Sequence, residues 1–169
     1  GTDQIDYSLL SNETGEGVIF MMTWTENAGN IDTISGFEKF VGSQYNDIFV
    51  GAAGAQLFAG GAGDDLFRSF GGLDQLYLGA GFDYVSFNKA DVVSDAGIHL
   101  GYDTIFGFNK DEDTIDLVDI FADRTITDPT AMIRLAVVGN STALQADFGN
   151  GVFKNVALLS GVTGLNVAS

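Results

Sequence analysis

Read in nines from Thr33, residues 33–86 run TISGFEKFV, GSQYNDIFV, GAAGAQLFA, GGAGDDLFR, SFGGLDQLY and LGAGFDYVS. The sixth places hold Glu38, Asp47, Gln56, Asp65, Asp74 and Asp83, and the eighth places hold Phe40, Phe49, Phe58, Phe67, Leu76 and Val85. Each unit therefore joins a turn-forming half to a triplet whose middle residue is apolar. Neighbouring side chains on a strand face opposite ways, so the eighth place points inward and the seventh and ninth point outward. Asp47, Asp65 and Asp83 recur every eighteen residues. Coils stacked at about 4.8 Å bring inward residues of that spacing into contact. This predicts one inner column of Phe49, Phe67 and Val85, facing a second of Phe40, Phe58 and Leu76. Burying each such side chain contributes roughly 1.5 to 3 kcal/mol. The core of so small a coil is thin, so bound metal is expected to supply stability that packing does not.

The residue types of the turns point to that metal. Glycines at the first, second and fourth places permit positive φ and let carbonyls turn toward a shared point that a side chain would obstruct. Gly61, Gly63 and Gly81 are the glycines singled out for this role. Asp47, Asp65 and Asp83 fall on one side of the stack, where like charges repel unless a cation lies between them. A cage of carboxylate and carbonyl oxygens suits calcium; zinc and copper would call for nitrogen or sulfur. Two good sites are predicted, between Asp47 and Asp65 and between Asp65 and Asp83. The opposite column of Glu38, Gln56 and Asp74 is poorer, and its site between Gln56 and Asp74 is expected to be weak or empty. Tyr45 replaces a glycine at the fourth place of its unit, which makes that turn atypical.

The block Gly60-Gly61-Ala62-Gly63-Asp64-Asp65-Leu66-Phe67-Arg68 fits the G-G-x-G-x-D-x-U-x nonapeptide of the calcium-binding repeats-in-toxin, or RTX, proteins. The chain resembles that family most specifically over Gly60–Arg68, well over 42–86, and more loosely elsewhere. The resemblance implies an all-β fold: a right-handed parallel β-roll of nonapeptide repeats, with calcium between successive turns, capped by a C-terminal antiparallel β-sheet. It also implies a secreted bacterial protein, extracellular or at the cell surface, exported through a type I secretion apparatus.

Outside the repeats, Gly1-Thr2-Asp3-Gln4-Ile5-Asp6-Tyr7 echoes Gly81-Phe82-Asp83-Tyr84-Val85-Ser86-Phe87, which predicts that Asp3 and Ile5 occupy another rung. A second echo links 32–37 with 103–108. Val18-Ile19-Phe20-Met21-Met22 reads as a short strand and 26–30 as a turn. Residues 1–32 are thus a degenerate lead-in or cap, 33–86 the roll, and 87–169 a capping sheet with an apolar tail similar to a secretion signal, all in one domain. The stretch from Asp103 to Leu117 is similar to the segment after the repeats in RTX proteases and mannuronan epimerase modules. It implies a strand, an acidic turn and a closing strand, with a further calcium held through Asp103, Asp113 or Asp116 or else a solvated hairpin. Asp119 to Thr130, with Pro129, includes a helical turn. Three alternating runs, 131–138, 142–148 and 152–159, read as strands of two hairpins that cover the open end of the roll.

Composition agrees. A formal charge of −16 and a pI near 4.1 work against a compact state until cations bind, and they exclude nucleic acid as a partner. Hydrophobic content of 46% and 14 phenylalanines exclude a disordered acidic tail. There is no cysteine for disulfides or thiolate sites, no apolar run long enough for a membrane span, and no signal-peptide pattern in Gly1–Ser11. With one histidine, His99, and no cysteine, no hydrolase triad can be assembled, so the protein is not expected to be an enzyme. His99 reads as an exposed strand-end residue and Trp24 as a cap or core residue. A monomeric calcium-binding module that folds on meeting extracellular calcium is the first reading, serving export of its parent, such as a large adhesin. The alternative is an accessory module of a polysaccharide-modifying enzyme such as a mannuronan epimerase, with an anionic polysaccharide as partner. That reading calls for an outward aromatic or basic stripe, for which Lys39, Arg68 and Tyr77 offer little.

Overall fold

The computed structural model describes residues 4–9, 17–21, 38–94, 97–149 and 151–167. Asp3, Trp24, the turn at 26–30 and the echo at 32–37 lie outside the described residues. The strands are β1 (Gln4–Asp6), β2 (Ile19–Met21), β3 (Lys39–Val41), β4 (Ile48–Val50), β5 (Leu57–Ala62), β6 (Leu66–Arg68), β7 (Gln75–Ala80) and β8 (Tyr84–Ser86). After a four-residue helix, α1 (Lys89–Val92), come β9 (Asp103–Phe106), β10 (Thr114–Asp116), two short 3-10 turns (Val118–Phe121 and Pro129–Met132), then β11 (Ile133–Val138), β12 (Ser141–Asp147) and β13 (Phe153–Ser160). The fold is mostly β. No helix among the described residues is long and apolar enough to cross a membrane.

Successive strands up to β10 alternate between two sheets. One has the order β1-β3-β5-β7-β9-β13-β12-β11 and the other β10-β8-β6-β4-β2. The pairs within the repeats are parallel and eighteen residues out of step, as in Phe40 opposite Phe58 and Phe49 opposite Phe67. The register fixes the core. Phe40, Phe49, Phe58, Phe67, Leu76 and Val85 are at most 1% exposed, while their outward neighbours Ile48 and Tyr84 are more than a third exposed. Phe20, Phe49 and Phe67 stack ring over ring, with centroids 5.1 and 4.9 Å apart and planes within 11° and 7°. That spacing is the distance between neighbouring strands, so the ring column and the hydrogen-bond ladder reinforce one another.

Both columns run beyond the nonapeptides. Ile5 lies opposite Phe40 and Phe20 opposite Phe49, so the lead-in strands extend the sheets. At the other end Ile105 lies opposite Leu76 and Ile115 opposite Val85. The spacing from Leu76 to Ile105 is 29 residues instead of 18, because α1 and the segment after it are inserted between β8 and β9. The expected change of architecture after Ser86 is therefore an insertion into a continuing pattern. β9 and β10 belong to different sheets and do not pair with each other, which corrects the hairpin expected for the acidic turn.

The three alternating runs do form two antiparallel hairpins, β11 with β12 and β12 with β13. They do not simply cover an end. β13 pairs parallel with β9, Leu159 opposite Ile105, and carries the larger sheet onward. Among the described residues neither sheet closes on itself: β1 and β11 are the edges of one, β2 and β10 of the other.

Candidate metal centre

Each strand triplet of the repeats is entered through the sixth-place residue, and from Asp47 to Asp83 these residues are buried, whereas Glu38 is exposed. Asp47, Asp65, Asp74 and Asp83 are 1 to 2% exposed and Asp103 is 5% exposed. Burial of carboxylates to this depth requires hydrogen-bond donors or a cation. The main chain supplies some of the donors. The Asp47 N–H donates to Asp65 Oδ1 at 2.8 Å, and the Asp65 N–H to Asp83 Oδ1 at 2.9 Å. In the other column the Gln56 N–H donates to Asp74 Oδ1 at 2.7 Å, and the Asp74 N–H to Asp103 Oδ1 at 2.9 Å. The Asp83 N–H donates to Asp113 Oδ1 at 3.1 Å. Consecutive carboxylates are thus bridged by an amide of the preceding coil, a link that spacing and charge alone do not reveal.

These bonds satisfy only one oxygen of each pair. The Oδ2 atoms of Asp65, Asp74 and Asp83 are buried with no hydrogen-bond partner. Burial pushes the carboxyls of Asp65 and Asp74 up to about 8, and that of Asp83 up to about 6; the neighbouring carboxylates add to the effect in each case. An oxygen in that position calls for a proton or for a hard cation. Where the oxygens lie is informative. A Cβ placed on Gly60 would fall on Asp65 Oδ2 and on the Leu78 carbonyl oxygen; one on Gly42 would fall on Asp47 Oδ2 and the Gly60 carbonyl oxygen. Carboxylate and carbonyl oxygens therefore converge beside first-place glycines, an all-oxygen donor set of the kind calcium takes. No group of three or more His, Cys, Asp or Glu side chains suited to a metal occurs among the described residues. An ion here would depend on main-chain carbonyls for much of its shell.

The predicted residues separate into classes. Asp65, Asp74 and Asp83 have an oxygen to spare. Asp47 does not: its Oδ1 accepts from the Val18 N–H and its Oδ2 from the Ser43 N–H, with the Ser43 hydroxyl on both. Asp74, expected to be the weaker ligand, is as deeply buried as Asp65 and equally short of a donor. Asp103, Asp113 and Asp116 do not come together. Asp103 ends the Asp74 column, with Ser69 Oγ donating to its Oδ2 at 2.7 Å, and burial raises its carboxyl to about 6. Asp113 ends the Asp83 column and also accepts the Asn109 N–H. Asp116 accepts the Tyr84 hydroxyl and the Val118 N–H. Gly61, Gly63 and Gly81 all have positive φ, and a Cβ on each would strike the coil before it at Ser43, Tyr45 and Gly63.

Four contributors are not marked by the repeat pattern. Ser43 and Ser69 act through hydroxyls at places where the repeat favours glycine. At the fifth place Asn46 and Asp64 build an outer ladder, accepting the N–H groups of Asp64 and Phe82, each at 2.9 Å. Its signal was present as a polar side chain in phase at positions 46 and 64. His99 is exposed, as expected, and one ring nitrogen lies 2.9 Å from the Asn155 carbonyl oxygen.

Neither a protein-family model nor a curated protein matches the chain. Among solved structures it is similar to the solution structure of the AlgE6R3 subunit from the Azotobacter vinelandii mannuronan C5-epimerase, with 23% sequence identity, 70% of this chain and 72% of that chain covered, and a TM-score of 0.31.

Proposed function

We propose that the chain is a calcium-binding module of the RTX type, a right-handed parallel β-roll that folds as one unit when it meets extracellular calcium and so serves the export and folding of a secreted bacterial protein. The observation behind this reading is the set of three buried carboxylate oxygens without donors, at Asp65, Asp74 and Asp83. Hard divalent ions, bound separately in the two columns, would satisfy all three through carboxylate and carbonyl oxygens. Asp65, Asp74 and Asp83 would hold the ions, with the carbonyl oxygen of Leu78 beside Asp65. The bound charge would offset the self-repulsion of a chain carrying −16. Binding free energy of a site absent from the unfolded chain becomes folding free energy. Extracellular calcium modules bind at roughly 0.1 to 1 mM, a concentration met outside a cell and not in its cytosol.

The test is a calcium titration followed by far-ultraviolet circular dichroism. Asp65→Ala and Asp74→Ala should each raise the calcium midpoint for folding, whereas Asp116→Ala, whose carboxylate is served by Tyr84 and Val118, should leave it in place. Equal midpoints for all three would reject the assignment of ligands.

One observation favours the second reading, an accessory module for an anionic glycan. Tyr77 and Phe106 stack on neighbouring strands with centroids 4.4 Å apart and planes 7° apart, and Tyr77 is 38% exposed. Isothermal titration with alginate, repeated on Tyr77→Ala, separates the two: heat that disappears with the ring supports glycan binding, and no heat leaves the folding role alone.

A further inference from the structure

The larger sheet has a sixth parallel rung, β13, and the smaller sheet has no described strand to match it beyond β10. Thr114 donates its N–H to the Asp83 carbonyl and Asp116 accepts from the Phe87 N–H, so both turn their main-chain groups toward β8. In a parallel ladder the residue between them faces the other way. Ile115 therefore presents its N–H and C=O at the open edge, and neither has a main-chain partner among the described residues.

Beside this edge lies an apolar cleft. A space of about 540 Å³ is lined by Ile115, Leu117, Phe121, Ile126 and Ile133. A second of about 450 Å³ shares Ile115, Leu117 and Ile133 with it and continues past Leu135, Leu144 and Leu159. It lies between β10 and the antiparallel strands β11, β12 and β13, and Leu165, Asn166 and Val167 of the segment after β13 form part of its wall. The rim is acidic. Asp113 and Asp116 line it together with Lys110 and Arg124, and Asp111, Glu112 and Asp119 are near them in sequence. The two nearby cations are already engaged, Lys110 with Asp111 and Arg124 with Asp123 and the Asp147 carbonyl.

We propose that the β10 edge binds an extended polypeptide strand with apolar residues at its centre and lysine or arginine at its flanks, added to the smaller sheet beside Ile115. An edge N–H and C=O select main chain, the cleft selects an apolar side chain on the inner face, and the rim selects positive charge. A lipid would fill the cleft and leave Ile115 unpaired. A second copy of this chain would bring −16 against −16. The inference does not depend on calcium occupancy.

The test uses the full chain and a labelled peptide, Lys-Lys-Val-Thr-Val-Thr-Val-Lys-Lys, in a fluorescence anisotropy titration. Saturable binding is expected. Methylating the central backbone nitrogens should weaken it about tenfold, because main-chain bonds are lost while charge and side chains are kept. The Ile115 amide should become protected from hydrogen exchange only with the unmethylated peptide. Three results would overturn the proposal: equal affinity for the methylated peptide, equal affinity for a glutamate-flanked version, or a dimer in sedimentation whose Ile115 amide is protected without peptide.

Discussion

Asp65→Asn separates the structural use of this residue from its proposed ionic one. The amide oxygen of asparagine can still accept the Asp47 N–H, which lies 2.8 Å from Asp65 Oδ1. What disappears is a buried charge. With its carboxyl pushed up to about 8 by burial, Asp65 binds a proton more tightly in the folded metal-free chain than in the unfolded one. Its contribution to stability is therefore full below the unfolded value of 3.8 and is lost as pH rises toward 8. The slope is at most 1.36 kcal/mol per pH unit, so moving from about pH 4.5 to about 7.5 removes up to roughly 4 kcal/mol. Relaxation and water entry lower that figure, and about 2 kcal/mol is a conservative expectation. In chelator at pH 7.5 the variant should be more stable than the parent by that amount, and the two should converge at pH 4.5. Calcium inverts the comparison. At about 5 mM, a site with a dissociation constant of roughly 0.1 to 1 mM adds about 1 to 2 kcal/mol to the parent, and the variant should forgo most of it. Urea unfolding followed by circular dichroism, with and without chelator at both pH values, measures all four numbers. Equal calcium stabilisation of the two proteins, or no advantage for the variant in chelator at pH 7.5, would refute the reasoning.

Gly60→Ala places a methyl group on Asp65 Oδ2 and the Leu78 carbonyl oxygen and should cost about 2 kcal/mol or more. Gly139→Ala, with positive φ but nothing within contact range of its Cβ, should cost only about 1 kcal/mol in the same urea assay. Phe67→Ala removes a ring that is wholly buried and stacked at 4.9 Å on Phe49, and a loss of about 3 to 5 kcal/mol is expected. Hydrogen exchange should show the Asp83 amide strongly protected through its bond to Asp113 Oδ1. Asp113→Ala should release it, whereas Asp113→Asn should preserve most of the protection.

The periodic part of the fold was legible because one rule sets both turns and strands. A nine-residue unit fixes which residues point inward, and Phe40, Phe49, Phe58, Phe67, Leu76 and Val85 occupy the columns that their phase implies. The rule fails where the chain inserts residues. With α1 and its following segment between β8 and β9, Ile105 is 29 residues from its partner Leu76, so a search at fixed period stops at Ser86 although both sheets continue. The place of β13 was hidden for a different reason. Alternation marks Phe153–Ser160 as a strand but does not say which neighbour it takes, and β13 takes β12 on one side and β9 on the other.

The acidic residues show the same division. Phase puts Asp47, Asp65 and Asp83 in one column and Asp74 in the opposite, poorer one, and the structure buries all four alike. It could not tell which oxygens remain unserved, because that depends on neighbours without periodic meaning. Ser43 supplies donors to Asp47, and Ser69 supplies one to Asp103. The amide bridge between coils was missed because backbone donors leave no trace in residue identity.

Diffraction from crystals grown in calcium, with data recorded at a wavelength where calcium scatters anomalously, locates the bound ions. Anomalous peaks are expected within ligand distance, about 2.3 to 2.6 Å, of the second carboxylate oxygens of Asp65, Asp74 and Asp83. Peaks confined to exposed acids such as Asp111 and Glu112, with the three buried oxygens still lacking a partner or carrying protons, would contradict the assignment of ligands.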